Sequence, residues 1–171
     1  MTILLHSCCA PCASASIEQL LVAGRRVELF YYMPNIYSHD EYCKRLASLE
    51  ILAKHFQLHL HTGIYEHNAW LAAVHGLEAE KEGGARCFSC YEFLLQATGR
   101  KAHELGFHCF STTLTISPYK NAEKINEIGS KYNGFEFFDF KQNNGYKRSI
   151  ELSKELGLYR QKFCGCEFSM R

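Results

Sequence analysis

Seven of the nine cysteines fall into three short segments: Cys8-Cys9-Ala10-Pro11-Cys12, Cys87-Phe88-Ser89-Cys90 and Cys164-Gly165-Cys166. A thiolate is a soft metal ligand and a redox nucleophile, so such groups point to metal binding or to thiol–disulfide chemistry. Two thiolates from the first segment and two from the second make a four-sulfur set, which suits tetrahedral zinc or a [4Fe–4S] cluster. The Cys-x-x-Cys spacing by itself leaves zinc, a cluster and a dithiol pair open. Three thiols at the start of a helix are favoured as thiolates by its free N–H groups and dipole. The one-residue spacing of Cys164 and Cys166 permits a strained, reducible disulfide or a second ligand pair. Cys43 and Cys109 lie alone within apolar patterns and are expected to be core packing.

Some other residue types qualify less directly. His6 borders the first thiol group and can bond a sulfur or serve as a core histidine. His59 and His61 alternate on one strand, with no Cys or carboxylate beside them in sequence, which predicts a solvated face. Lys120, Lys147, Arg148, Arg160 and Lys162 gather in the second half near Tyr119, Tyr146 and Tyr159. Cations interleaved with aromatics suit single-stranded nucleic acid, where bases stack and phosphates meet positive charge.

These groups must be held by regular elements. Thr2 to His6 reads as a short buried strand that delivers Cys8 and Cys9 into a turn. Ile17, Leu20 and Leu21 recur at helical spacing, with Gly24 as the stop. Val27 to Tyr32 is β-branched and aromatic enough for a strand. Ser38 and Glu41 make a capping box ahead of a stripe of Tyr42, Leu46, Leu49, Ala53 and Phe56. Leu58 to His61, Phe107 to Thr113 and Phe135 to Phe138 read as further strands. Tyr91 to Leu105, closed by Gly106, and Asn121 to Tyr132 read as helices. Alternation of this kind predicts βαβ units, a mainly parallel sheet and an α/β Rossmann-like domain of three layers. Ligands in such folds bind beyond the carboxyl ends of the strands, where the first thiol group lies.

The 171 residues carry 19 Lys and Arg against 18 Asp and Glu, with 47% apolar and 22% charged residues. That balance excludes wholesale disorder, and the length suits one domain over residues 1–171. No apolar run approaches the ~18 residues of a membrane span. Nine cysteines are about 5% of the chain, below the roughly 8–10% of a disulfide scaffold. With an odd count and no export-signal pattern, a reducing, cytoplasmic setting is expected. No Gly-x-Gly-x-x-Gly or Walker sequence supports a dinucleotide or P-loop reading.

Taken together, LHSCCAPC (5–12), YMPNI (32–36), Glu41-Tyr42, GARCFSCY (84–91), TTLTISPYKN (112–121), Asp139-Phe140 and GLYRQKFCGCEFS (157–169) resemble the QueH family of epoxyqueuosine reductases, in the family's order. Met33, between Tyr32 and Pro34, is a mild departure that touches no cysteine. The resemblance implies a fold like that of adenine-nucleotide hydrolases (the HUP class). It also implies cobalamin-independent reduction of epoxyqueuosine to queuosine at the wobble position of tRNA. The implied cluster ligands are Cys8, Cys9, Cys87 and Cys90, with Cys12 assigned to an adjacent second metal such as an iron ion. Cys164 and Cys166 would form a redox-active pair. Tyr119, Asp139 and Tyr91 are candidate proton donors, and Lys120 and Arg160 the favoured tRNA contacts. The implied partners are tRNA and an electron donor such as a ferredoxin or flavodoxin.

Two other readings compete. One is a tRNA-thiolating enzyme of the same fold class, although SCCAPC (7–12) occupies the place where such enzymes carry a phosphate loop. The other is a noncatalytic zinc-binding module acting on RNA or protein.

Overall fold

A computed structural model describes residues 1–170. Its sheet has four parallel strands in the order β3-β2-β1-β4, with β1 at Thr2–His6, β2 at Arg26–Tyr31, β3 at Leu60–Thr62 and β4 at Phe110–Thr112. Ile3, Leu4, Leu5 and Leu29 are fully buried, as expected of a parallel sheet covered on both faces. Six α-helices connect and cover it: α1 (Ala10–Val22), α2 (His39–His55), α3 (His67–Ala73), α4 (Ala85–Glu104), α5 (Ala122–Gly129) and α6 (Gly145–Glu155). Helices α1, α2 and α6 pack together, whereas α4 packs on α5, β1 and β4. The connections from β1 through β2 to β3 step one way across the sheet, and the return through α3 and α4 to β4 steps the other way. Right-handed crossovers therefore place these helices in separate layers and open a crevice between β1 and β4.

Local chemistry sets the ends of these elements. Cys9 caps α1, its sulfur accepting from the Cys12 amide at 3.5 Å, and Pro11 occupies the first turn. Gly24 follows the helix with φ 72°, the left-handed region that glycine enters without a Cβ clash. Ser38 caps α2 through the Glu41 amide, and Asn121 caps α5 through the Lys124 amide. No helix among the described residues is long and apolar enough to cross a membrane.

Several boundaries differ from the sequence expectation. Phe135 makes only a single parallel bridge with Phe110, because the chain then diverges and Thr115 Oγ1 donates to the Phe138 carbonyl. The strands expected at 58–61 and 107–113 shorten and shift to Leu60–Thr62 and Phe110–Thr112. At the second, the Phe107 amide is taken by the Ala102 carbonyl as α4 closes. Helix α5 ends at Gly129 rather than Tyr132. Helices α3 and α6 had no counterpart in the pattern: α6 buries Gly145, Ser149, Leu152 and Ser153, a face made mostly of small and polar residues. Cys43 is exposed rather than packed, one position past the inward-facing Tyr42, and its sulfur lies 3.5 Å from His39 Nδ1. Cys109 is buried as expected.

Candidate functional site

The first thiol group leaves the carboxyl end of β1, and the Thr112–Ser117 segment leaves the neighbouring end of β4. They meet at once. Thr113 Oγ1 accepts from the Cys8 amide at 3.2 Å and lies 3.4 Å from the Cys8 sulfur. His6 is fully buried between strands, bonded to Thr112 Oγ1 at 2.9 Å and to the Tyr32 carbonyl at 3.0 Å. Burial lowers its pKa, against the Tyr32 carbonyl and the Cys8 thiol, which favour the charged form. His6 is thus a neutral beam under the site, with both ring nitrogens engaged.

The sulfurs of Cys8, Cys9 and Cys12 all lie within 4.8 Å of one another. Cys9 is held well below the usual thiol range, first by the Cys12 thiol and then by that of Cys8, with Gln161 adding a further hydrogen bond. Cys12 is pushed well above it by its hydrogen bonds to Cys8 and Cys9 and by burial. The three sulfurs thus form a preassembled soft-ligand set in which the neighbouring thiols favour Cys9 as the thiolate.

The other thiols approach from above. Helix α4 starts at Ala85, so Cys87 and Cys90 occupy its first two turns, and the Gly83 amide donates to the Cys87 sulfur at 3.2 Å. Burial pushes Cys90 up, and the charges of Cys164, Cys87 and Cys166 reinforce that. The Cys164–Cys166 loop folds back over the crevice. Fully buried Arg45 holds it, donating to the carbonyls of Cys164 at 2.8 Å and Phe163 at 3.3 Å. Gly165, at φ 146°, sits where a Cβ would come within 3.3 Å of Arg45 and Asn35. The result is a cavity of about 750 Å³ walled by Cys8, Cys12, Cys87, Cys90, Cys164 and Cys166. Cys9 lies behind this wall and is only 1% exposed.

The remaining sequence candidates divide into wall, rim and outside. Tyr91 and Lys120 line the cavity. Burial opposes the charge of Lys120, but Cys164, Cys8, Cys12 and Tyr91 outweigh it, so the ammonium is held well above its usual range. It thus lines the same cavity as Cys8, Cys12 and Cys164. Tyr119, Tyr146, Arg160 and Lys162 lie at the rim, with Tyr119 79% exposed. Asp139 is not brought to the cavity, since its carboxylate accepts from the Lys141 amide in a local turn. Arg148 is engaged by Glu18 and Glu155, and neither it nor Lys147 lines the cavity. Arg45, Gln161 and Trp70 were missed. Trp70 Nε1 is buried without a hydrogen-bond partner, and Cys90 packs against the indole's cluster at the cavity wall. Only tertiary contact brings these three to thiols far away in sequence.

The sequence model of the family described as epoxyqueuosine reductase QueH matches residues 3–171. The chain belongs to the QueH family. It is 41% identical to the epoxyqueuosine reductase QueH of Thermotoga maritima over 178 residues, covering 99% of this chain and 90% of that one. The QueH protein of Streptococcus pyogenes serotype M1 is 37% identical over 181 residues, covering 99% and 71%. Among solved structures, the U34-tRNA thiolase NcsA from Methanococcus maripaludis, with its [4Fe–4S] cluster, superposes with a TM-score of 0.60 at 10% identity. That match covers all of this chain and 62% of the thiolase, and it shows a shared α/β fold.

Proposed function

We propose that this chain reduces the epoxide of epoxyqueuosine in tRNA to the alkene of queuosine. The carrying observation is the convergence of three thiol segments on one cavity at the crevice between β1 and β4, within a chain of the QueH family. Deoxygenating an epoxide to an alkene consumes two electrons and two protons and releases one water. No cobalamin is required in this reading, and a ferredoxin- or flavodoxin-type protein supplies the electrons.

The donor set fits an iron–sulfur cluster: it is all sulfur, its neighbours favour Cys9 as the thiolate, and it stands at the turn between β1 and α1 and on the first turns of α4. Cys8, Cys9, Cys87 and Cys90 would hold the cluster, and Cys12 an adjacent metal ion. Such a cluster supplies low-potential single electrons, and an adjacent metal supplies a Lewis acid.

The chain's own residues do the rest. Lys120 presents a fixed ammonium inside the cavity, able to hydrogen-bond an oxygen that gains negative charge. Tyr91, buried beside it, keeps its phenol proton and is a second donor. Cys164 and Cys166 cover the cavity as a dithiol able to give up two electrons by closing a disulfide. Tyr119 and Tyr146 at the rim provide stacking faces, and Arg160 and Lys162 meet anticodon-loop phosphates. In this reading the enzyme works with its tRNA substrate in the cytoplasm.

The decisive experiment is anaerobic purification, with iron, sulfide and the visible spectrum measured beside conversion of epoxyqueuosine-containing tRNA. About four irons and four sulfides, absorption near 400 nm and queuosine formation are the expected result. One zinc, no sulfide and no turnover after reconstitution would overturn the proposal.

A further inference from the structure

We propose that Glu28, His59 and His61 form a binding site for a divalent first-row transition ion, zinc above all, on the sheet and separate from the thiol cavity. His59 and His61 are two residues apart on an extended chain, so their side chains leave the same face. The parallel register pairs Leu29 with Leu60 and Phe30 with His61, and the Leu29 amide donates to the His59 carbonyl at 2.9 Å. That register brings Glu28 onto the face of the two imidazoles. One ligand atom from each of the three lies within 4.8 Å of the others. His61 Nε2 is 2.7 Å from Glu28 Oε2, and the two imidazole centroids are 4.2 Å apart.

Two imidazoles and a carboxylate are a borderline, nitrogen-rich set. It suits zinc and its neighbours in the first transition row, and disfavours calcium and magnesium, which take oxygen ligands. Three protein ligands leave positions for water, and the side chains of His61 and Glu28 are 18% and 33% exposed, so an ion can enter from solvent. An ion bound here would take the place of the hydrogen between His61 Nε2 and Glu28 Oε2. None of the three residues lines the cavity, and no cysteine belongs to the group. His61 is also steadied edge-on by Phe107, at 6.2 Å between centroids.

An ion here would tie β3, an edge strand of three residues, to β2. A ligand that binds only the folded chain stabilises it in proportion to the logarithm of its concentration over Kd. The site therefore acts as a clip between an edge strand and its neighbour.

The test uses the anaerobically purified chain with its thiol-bound metal in place, titrated with zinc chloride by calorimetry beside His59→Asn, His61→Asn and Glu28→Gln. Glu28→Gln retains an oxygen acceptor for His61, so it preserves the fold while removing the charged ligand. The wild-type chain should bind one more zinc than either histidine variant. Glu28→Gln should bind it at least tenfold more weakly. The ring resonances of His59 and His61 should shift together on saturation, with iron content and turnover equal in all four proteins. Superimposable isotherms for the wild-type chain and the histidine variants, or unmoved imidazole resonances, would overturn the site. Neither result depends on epoxyqueuosine reduction, so this inference and the proposed activity fail separately.

Discussion

Arg45 Nη1 donates to the carbonyl of Cys164 across 2.8 Å, from the middle of α2 to a loop 119 residues later. Its Nε is paired with Glu41 at 2.7 Å, and Glu41 in turn accepts from the Tyr159 hydroxyl at 2.8 Å. The guanidinium also lies 5.2 Å over the Phe163 ring. A buried cation thus fixes the backbone on which two thiols stand.

Breaking this clamp should cost both stability and the loop's position. Arg45→Ala leaves Glu41 buried without its partner, and losses of about 3–5 kcal/mol are usual for such a cut. Urea unfolding of Arg45→Ala should show that drop, while Arg45→Lys recovers part of it but not the two-carbonyl grip. Gly165→Ala should lower turnover more than stability, since its Cβ crowds Arg45 and Asn35. Equal turnover for Gly165→Ala and the wild type would remove the loop from the reaction.

The thiols separate by iron content. Cys8→Ser, Cys9→Ser, Cys87→Ser and Cys90→Ser should each lose most of the iron and sulfide. Cys12→Ser should retain the cluster iron and lose turnover. Loss of all iron in Cys12→Ser would reassign that sulfur to the cluster, as its closeness to Cys8 and Cys9 allows. Cys164→Ser and Cys166→Ser should keep the iron and fail in turnover with the physiological electron donor.

Rim and wall cations should behave differently toward tRNA. Arg160→Glu with Lys162→Glu should weaken binding and reduce its salt slope by about one for each phosphate no longer neutralised. Lys120→Gln should instead lower turnover at least tenfold with the salt slope unchanged. A lowered slope in Lys120→Gln would return that residue to a phosphate-binding role.

Acid stability should depend on Glu136. Its two oxygens accept from Arg25 at 2.7 and 3.0 Å, and the guanidinium holds its pKa below the ordinary carboxylate value. A depressed carboxylate contributes stability above its unfolded pKa and loses it as pH falls through the lower, folded value. Glu136→Gln should therefore flatten the acid limb of the stability curve below about pH 5, by no more than about 1 kcal/mol for so exposed a pair. An unchanged acid limb would show that the pair contributes nothing.

The sequence by itself determined the parallel α/β class, because Thr2–His6 reads as a short buried strand and Val27–Tyr32 as a β-branched and aromatic one, separated by a helical period and its glycine stop. It also marked Cys8, Cys9, Cys12, Cys87 and Cys90 as candidate ligands, since their clustering at helix starts is local in the chain. What lay beyond it was set by long-range packing. The placing of Lys120 at the cavity wall, the turning of Asp139 into a local bend and the exposure of Cys43 follow from which face each segment presents after folding. Arg45 reaches the Cys164 loop, and Glu28 reaches His59 and His61, across strand and helix pairings that have no trace in linear spacing. Only the tertiary structure decided those meetings, because register and crossover handedness bring together residues that periodicity treats one segment at a time.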